Sequence, residues 1–159
     1  MNQQNKNTNH FKEFENIENL NFAIVTSEWN FKITDRLTNG LEKELKKNGV
    51  LSKNIDKYSV PGSFELIHAC SSLINNFQYS AIIVVGCIIK GQTYHFECIS
   101  NSVANSIGHL NSLGRTPVVF CVLTDNNIQQ SLNRSGGKYG NKGEDSALAA
   151  LKLISTIDK

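Results

Sequence analysis

No apolar run in this chain reaches the roughly 18 consecutive residues that a membrane-crossing helix needs, and no charged-then-apolar leader opens it. The expectation is a cytoplasmic protein without a membrane partner. Charge of one sign is also scarce. Sixteen Lys and Arg against fourteen Asp and Glu leave a net charge of +2, too little to argue for nucleic acid or an anionic surface. The lysines that cluster (Lys43, Lys46, Lys47, Lys53, Lys57) have carboxylates mixed among them and no aromatic residues interleaved for base stacking, so they read as a solvated face. Cysteine is limited to Cys70, Cys87, Cys98 and Cys121, with no C-x-x-C pair and no cysteine–histidine cluster at ligand spacing. A disulfide framework and a zinc site are both disfavoured, and four buried free thiols in a reducing compartment are expected.

What is present is enough apolar sequence for one domain. At 159 residues and 40% hydrophobic composition, the chain can bury a sizeable core. The opening stretch is Asn-rich and of low complexity, so residues 1–20 are expected to be a flexible arm and residues 21–159 a single domain. Such an arm is either a tail or an extra strand for a neighbouring subunit's sheet, and composition favours the tail.

Short β-rich runs alternate with helical periodicity. Phe22 to Thr26, Ile55 to Val60, Ala81 to Val85 and Pro117 to Leu123 read as four strands. Ile33, Leu37, Leu41 and Leu45 recur every four residues, one face of a helix that Asn48-Gly49 stops. Further helices are expected from Ser63 to about Asn75, Thr93 to about Leu113, Asn127 to about Arg134, and Asp145 to Ile157. Alternation of this kind implies parallel β-α-β units. The expected fold is a flavodoxin-like three-layer α/β/α sandwich on a four-stranded parallel sheet.

In such sheets ligands sit at the carboxyl ends of the strands. Trp29-Asn30 follows the first strand in a polar turn, where Trp29 is either a core residue or a platform for a planar heteroaromatic ring. Val60-Pro61-Gly62-Ser63-Phe64-Glu65 follows the second. There Glu65 either favours the helix dipole or accepts hydrogen bonds from ligand hydroxyls. Gly86 and Gly91 mark a loop after the third strand, leading through Thr93 to His95. His95 fits a backbone-bonded histidine at a helix start as well as a proton-transfer group. Arg134 through Gly143 carries four glycines and three cations, suited to an anion, but lacks the G-x-x-x-x-G-K-[ST] pattern of a nucleotide loop.

Five separated motifs in this order resemble the lumazine synthase family: Trp29-Asn30, the Val60 to Glu65 run, Gly86 to Phe96 with its G-x-T-x-H-F core, Phe120 to Thr124, and Arg134 to Gly143 ending in Gly-Asn-Lys-Gly. The resemblance covers Phe22 to about Ile154. It implies condensation of 5-amino-6-ribitylaminouracil with 3,4-dihydroxy-2-butanone 4-phosphate to 6,7-dimethyl-8-ribityllumazine, without metal or organic cofactor. By motif match, Trp29 stacks on the pyrimidine, with Asn30, Cys87, Ile88 and Ile89 beside it. Ser63, Phe64 and Glu65 line the ribityl chain, and Gln92 and Thr93 present donors to the phosphate. His95 transfers protons and Asp145 orients it. Arg134 and Phe120 come from an adjacent subunit, and Lys142 matches the family's lysine near the site. The resemblance further implies a homopentamer, a 60-subunit icosahedral shell, an arm paired with the next subunit's sheet, and riboflavin synthase as a partner. Ile67, Cys98 and Asn133 depart from the family pattern, where a proline, an aromatic and an acidic residue are usual.

Overall fold

The computed structural model describes residues 16–157. Strands β1 (Phe22–Ser27), β2 (Ile55–Val60), β3 (Ala81–Ile89) and β4 (Val118–Asp125) form one parallel sheet in the order β2-β1-β3-β4. Helices α1 (Phe31–Lys47), α2 (Leu66–Asn76), α3 (His95–Ser112), α4 (Ile128–Arg134) and α5 (Lys142–Ile157) follow the strands in turn. The three-layer arrangement expected from the alternation is the one observed.

Side-chain alternation along the two central strands divides the core. Phe22 and Ile24 of β1, with Ile83 and Val85 of β3, pack against Leu37 and Leu41 of α1 and Leu151 of α5. Their neighbours Ala23, Val25, Ile82 and Val84 face Leu66 and Cys70 of α2 and Val103 and Ile107 of α3. A strand buried on both faces needs an unbroken apolar run, and β3 has one.

Several boundaries differ from the sequence expectation, α3 starting at His95 rather than Thr93 and β4 running to Asp125 rather than Leu123 among them, and three bear on the packing. First, β3 runs through Gly86 to Ile89 instead of ending at Val85. Gly86 is there for close approach. A Cβ at this position would lie 2.7 Å from Ser63 Oγ, 3.1 Å from Val122 Cγ1 and 3.3 Å from Leu66 Cδ1. Second, α2 begins at Leu66, with Ser63 buried in the turn before the helix. Third, the glycine-rich stretch is a small antiparallel hairpin, β5 (Ser135–Gly137) with β6 (Gly140–Asn141), and α5 starts at Lys142 rather than Asp145.

The early start of α5 has a packing cause. Asn141 Oδ1 accepts from Gly143 N–H at 2.8 Å, while Asn141 Nδ2 donates to the Arg36 carbonyl of α1 at 2.9 Å. A Cβ on Gly143 would collide with the Leu37 carbonyl, and one on Gly40 would lie 2.6 Å from Asn141 Cγ. The α1–α5 contact therefore closes backbone to backbone.

Of the four cysteines, Cys98 is exposed and the other three are buried, so the expectation of four buried thiols fails at that one. Of the expected arm, residues 1–15 lie outside the described residues. Ile17, which opens the short 3-10 turn Ile17–Asn19, and Leu20, which follows it, pack against the α1–α5 side of the core. No described helix is long and apolar enough to cross a membrane.

Gly143→Ala should destabilise the fold by about 1–3 kcal/mol through overpacking at α1. Gly108→Ala, in α3 with nothing within 4 Å of its Cβ, should raise stability by up to about 1 kcal/mol through helix propensity. Urea unfolding of both variants reads the contrast. Equal effects would show that the helix contact is not sterically closed.

Candidate active site

The carboxyl ends of β1, β2 and β3 meet around a cleft of about 500 Å³. Its shape follows from unequal strand lengths. Pairing of β1 with β3 ends at Thr26 and Val85, whereas β3 stays paired with β4 as far as Ile89 and Asp125. Residues 86–89 therefore project past β1, and their β1-side edge borders the cleft instead of a strand.

Asn30 occupies the place where β1 would have continued. It adopts a left-handed backbone, φ 58°, which Asn tolerates better than most residues. In that conformation its carbonyl accepts the first α1 bonds, from Ile33 and Thr34 N–H at 2.8 and 3.2 Å. Its Nδ2 donates to the Cys87 carbonyl at 2.9 Å. Trp29 beside it is 73% exposed and is held over the β2 turn by its N–H bond to the Pro61 carbonyl, 3.2 Å. The choice left open for Trp29 is resolved: it is not a core residue.

Glu65 turns its carboxylate back over Gly62, where a Cβ would lie 2.9 Å from Oε2. Among the described residues no side chain pairs with that carboxylate. Phe64 beside it is half exposed. His95 opens α3 and reaches the cleft from the third side, its backbone N–H pointing to Thr93 Oγ1 at 3.5 Å. Ile99, one helical turn beyond His95, also lines the cleft, which sequence reasoning missed. Its spacing of four from His95 was the available signal.

Trp29, Asn30, Ser63, Phe64, Glu65, Cys87, Ile88, Ile89 and His95 thus share one cleft. Burial holds the Cys87 thiol above its ordinary range, so it is a neutral wall group. Gln92 and Thr93 do not line the cleft but stand on the exposed turn between Ile89 and His95. That turn is bridged by Lys90 Nζ and Glu97 Oε1 at 2.9 Å, and the Lys90 hydrogen bond holds the Glu97 carboxyl below its usual range.

The remaining candidates lie elsewhere on the chain. Phe120 is 39% exposed on the edge strand β4. Arg134 ends α4, and its Nε is buried with no hydrogen-bond partner among the described residues. Lys142 Nζ pairs with Asp145 Oδ2 at 2.6 Å. Within one chain, then, Asp145 contacts Lys142, and neither it nor Arg134 or Phe120 lines the cleft that holds His95.

Comparison with known proteins matches residues 19–158 to the family model described as 6,7-dimethyl-8-ribityllumazine synthase. The chain belongs to that family. A relative of that name from Flavobacterium psychrophilum is 45% identical over 151 residues, covering 94% of this chain and 80% of that protein. One from Christiangramia forsetii is 46% identical over 154 residues, covering 96% and 89%. One from Bacteroides fragilis is 42% identical over 138 residues, covering 87% and 96%.

The Asn30 bridge carries a direct test. Asn30→Ala loses the Cys87 bond and the tolerance for positive φ together, and should cost about 2–3 kcal/mol. Asn30→Gly keeps the backbone conformation and should recover roughly half of that in thermal unfolding. If both variants melt with the native protein, the bridge does not hold the strand ends.

Proposed function

We propose that this protein joins 5-amino-6-ribitylaminouracil to 3,4-dihydroxy-2-butanone 4-phosphate, forming 6,7-dimethyl-8-ribityllumazine with loss of phosphate and water. One observation carries the reading: an exposed indole, an unpaired carboxylate and a histidine, each from a different strand end, line the same cleft. Trp29 offers the pyrimidine a stacking face. Residues 87–89 offer its polar edge the backbone groups of a strand that has lost its neighbour. Ser63, Phe64 and Glu65 line the ribityl chain, with Glu65 accepting from its hydroxyls.

Imine formation, phosphate loss and ring closure each move protons on or off nitrogen, carbon and oxygen. His95 serves both directions, because an imidazole can accept a proton at one step and return it at another. Gln92 and Thr93 border the position where the phosphate would lie, and fixed donors there stabilise it as a leaving group. Holding two substrates in a reactive geometry supplies much of the remaining acceleration.

Arg134, Phe120 and Lys142 reach this chemistry from the next subunit. The absence of any hydrogen-bond partner for Arg134 Nε among the described residues supports that division, since it leaves the guanidinium uncommitted within one chain. Asp145, ion-paired to Lys142, would come with them and orient His95 across the boundary. The assembly is a homopentamer, with twelve pentamers closing a shell in the cytoplasm, and riboflavin synthase, which consumes the product, is its partner.

Purified protein mixed with both substrates should develop the absorbance and fluorescence of the lumazine. His95→Ala should slow turnover about 10²-fold without abolishing it. Arg134→Ala should raise KM for the phosphorylated substrate about 10- to 100-fold, the range for losing a charge-assisted bond. Bound flavin with no product would sink the enzymatic reading, and two unaffected mutants would sink the residue assignments.

A further inference from the structure

Helix α4 is seven residues long, and its one fully buried side chain is a serine. That is an unusual anchor. A helix of two turns has little stability of its own and is normally held by an apolar face. Here Leu132 is only partly buried against the core, and the inward position is Ser131.

The Ser131 hydroxyl is bonded on both sides. It donates to Asp125 Oδ2 at 2.7 Å and accepts from Cys87 Sγ at 3.4 Å. Asp125 is the last residue of β4 and is itself buried. The chain Cys87–Ser131–Asp125 therefore ties α4 to the carboxyl ends of β3 and β4, and Cys87 belongs to the wall of the cleft. Arg134 stands three residues beyond Ser131, on the same side of the helix.

An apolar residue at position 131 could slide or rotate within its contacts. A bond from a hydroxyl to a buried carboxylate is short and directional, and so fixes the register of the helix that carries it. We infer that Ser131 and Asp125 are positioning residues whose buried hydrogen bond sets where α4 presents the Arg134 guanidinium to a phosphate group. This rests on the reading of Arg134 as the phosphate ligand. It adds the reason a short, weakly buried helix can hold a cation at one place, and it links that cation to the cleft wall at Cys87.

Ser131→Ala should raise KM for the butanone phosphate, and Kd for inorganic phosphate measured by calorimetry, each about tenfold. KM for the ribitylaminouracil should stay within about twofold. Ser131→Thr, which keeps the hydroxyl, should restore most of the phosphate affinity. Asp125→Asn, which keeps an acceptor but not its charge, should fall between, and it carries the test if Ser131→Ala does not fold. Loss spread equally over both substrates, a Thr variant no better than Ala, or native phosphate affinity in Ser131→Ala or Asp125→Asn would overturn the assignment. If the unmutated protein makes no lumazine, the proposed function fails by itself, and the phosphate titrations still decide whether Ser131 positions Arg134. Unmutated protein that binds no phosphate overturns both.

Discussion

The hydrogen bond from the Asn30 amide to the Cys87 carbonyl is the contact around which the rest of the molecule is arranged. β3 outruns β1 by the length of residues 86–89, which stay paired with β4 but lose their neighbour on the β1 side, and the backbone groups of that open edge need other partners. Asn30 supplies one partner from a left-handed turn, and the same turn starts α1 and sets Trp29 over the β2 loop. The Cys87 side chain, from the same residue, is tied to Ser131 of α4. One fixed strand end thus orders the stacking face, the floor of the cleft and the helix that ends in Arg134.

The groups gathered there are poor contributors to stability. An exposed tryptophan, and a glutamate and a histidine that have no side-chain partner among the described residues, do nothing for the fold that smaller residues would not do as well. They are held by elements whose own stability comes from elsewhere: the doubly buried β3, the two core layers, and the closed α1–α5 contact at Gly40 and Gly143. That separation lets the cleft keep unpaired polar groups on a rigid support. Arg134 belongs with these groups, since among the described residues its buried Nε has no hydrogen-bond partner.

Much of this was legible in the sequence wherever local pattern and tertiary role coincide. The spacing of Ile33, Leu37, Leu41 and Leu45 marks α1 because those residues do face the core. The residues after β1, β2 and β3 could be singled out because parallel sheets place ligands at carboxyl ends. Gly86 was misread as a turn because a glycine demanded by a distant contact looks the same as one demanded by a bend, and Ser63 is 23 positions away. The Gly-Asn-Lys-Gly run suggested anion chemistry, yet Asn141 and Gly143 serve helix packing. Ser131 could not be singled out, because one polar residue on a short helix carries no periodic signal. What local sequence cannot hold is which side chains meet.

The central claim is that a working site joins His95 of one chain to Arg134 of another, and mixed assembly tests it most directly. His95→Ala and Arg134→Ala proteins, each impaired alone, should be unfolded together and reassembled, and lumazine formation followed in the mixture. The account predicts a rate well above the mean of the two separate mutants, because some neighbouring pairs then combine an intact His95 with an intact Arg134. A rate no higher than that mean would place both residues in one chain's site and contradict it.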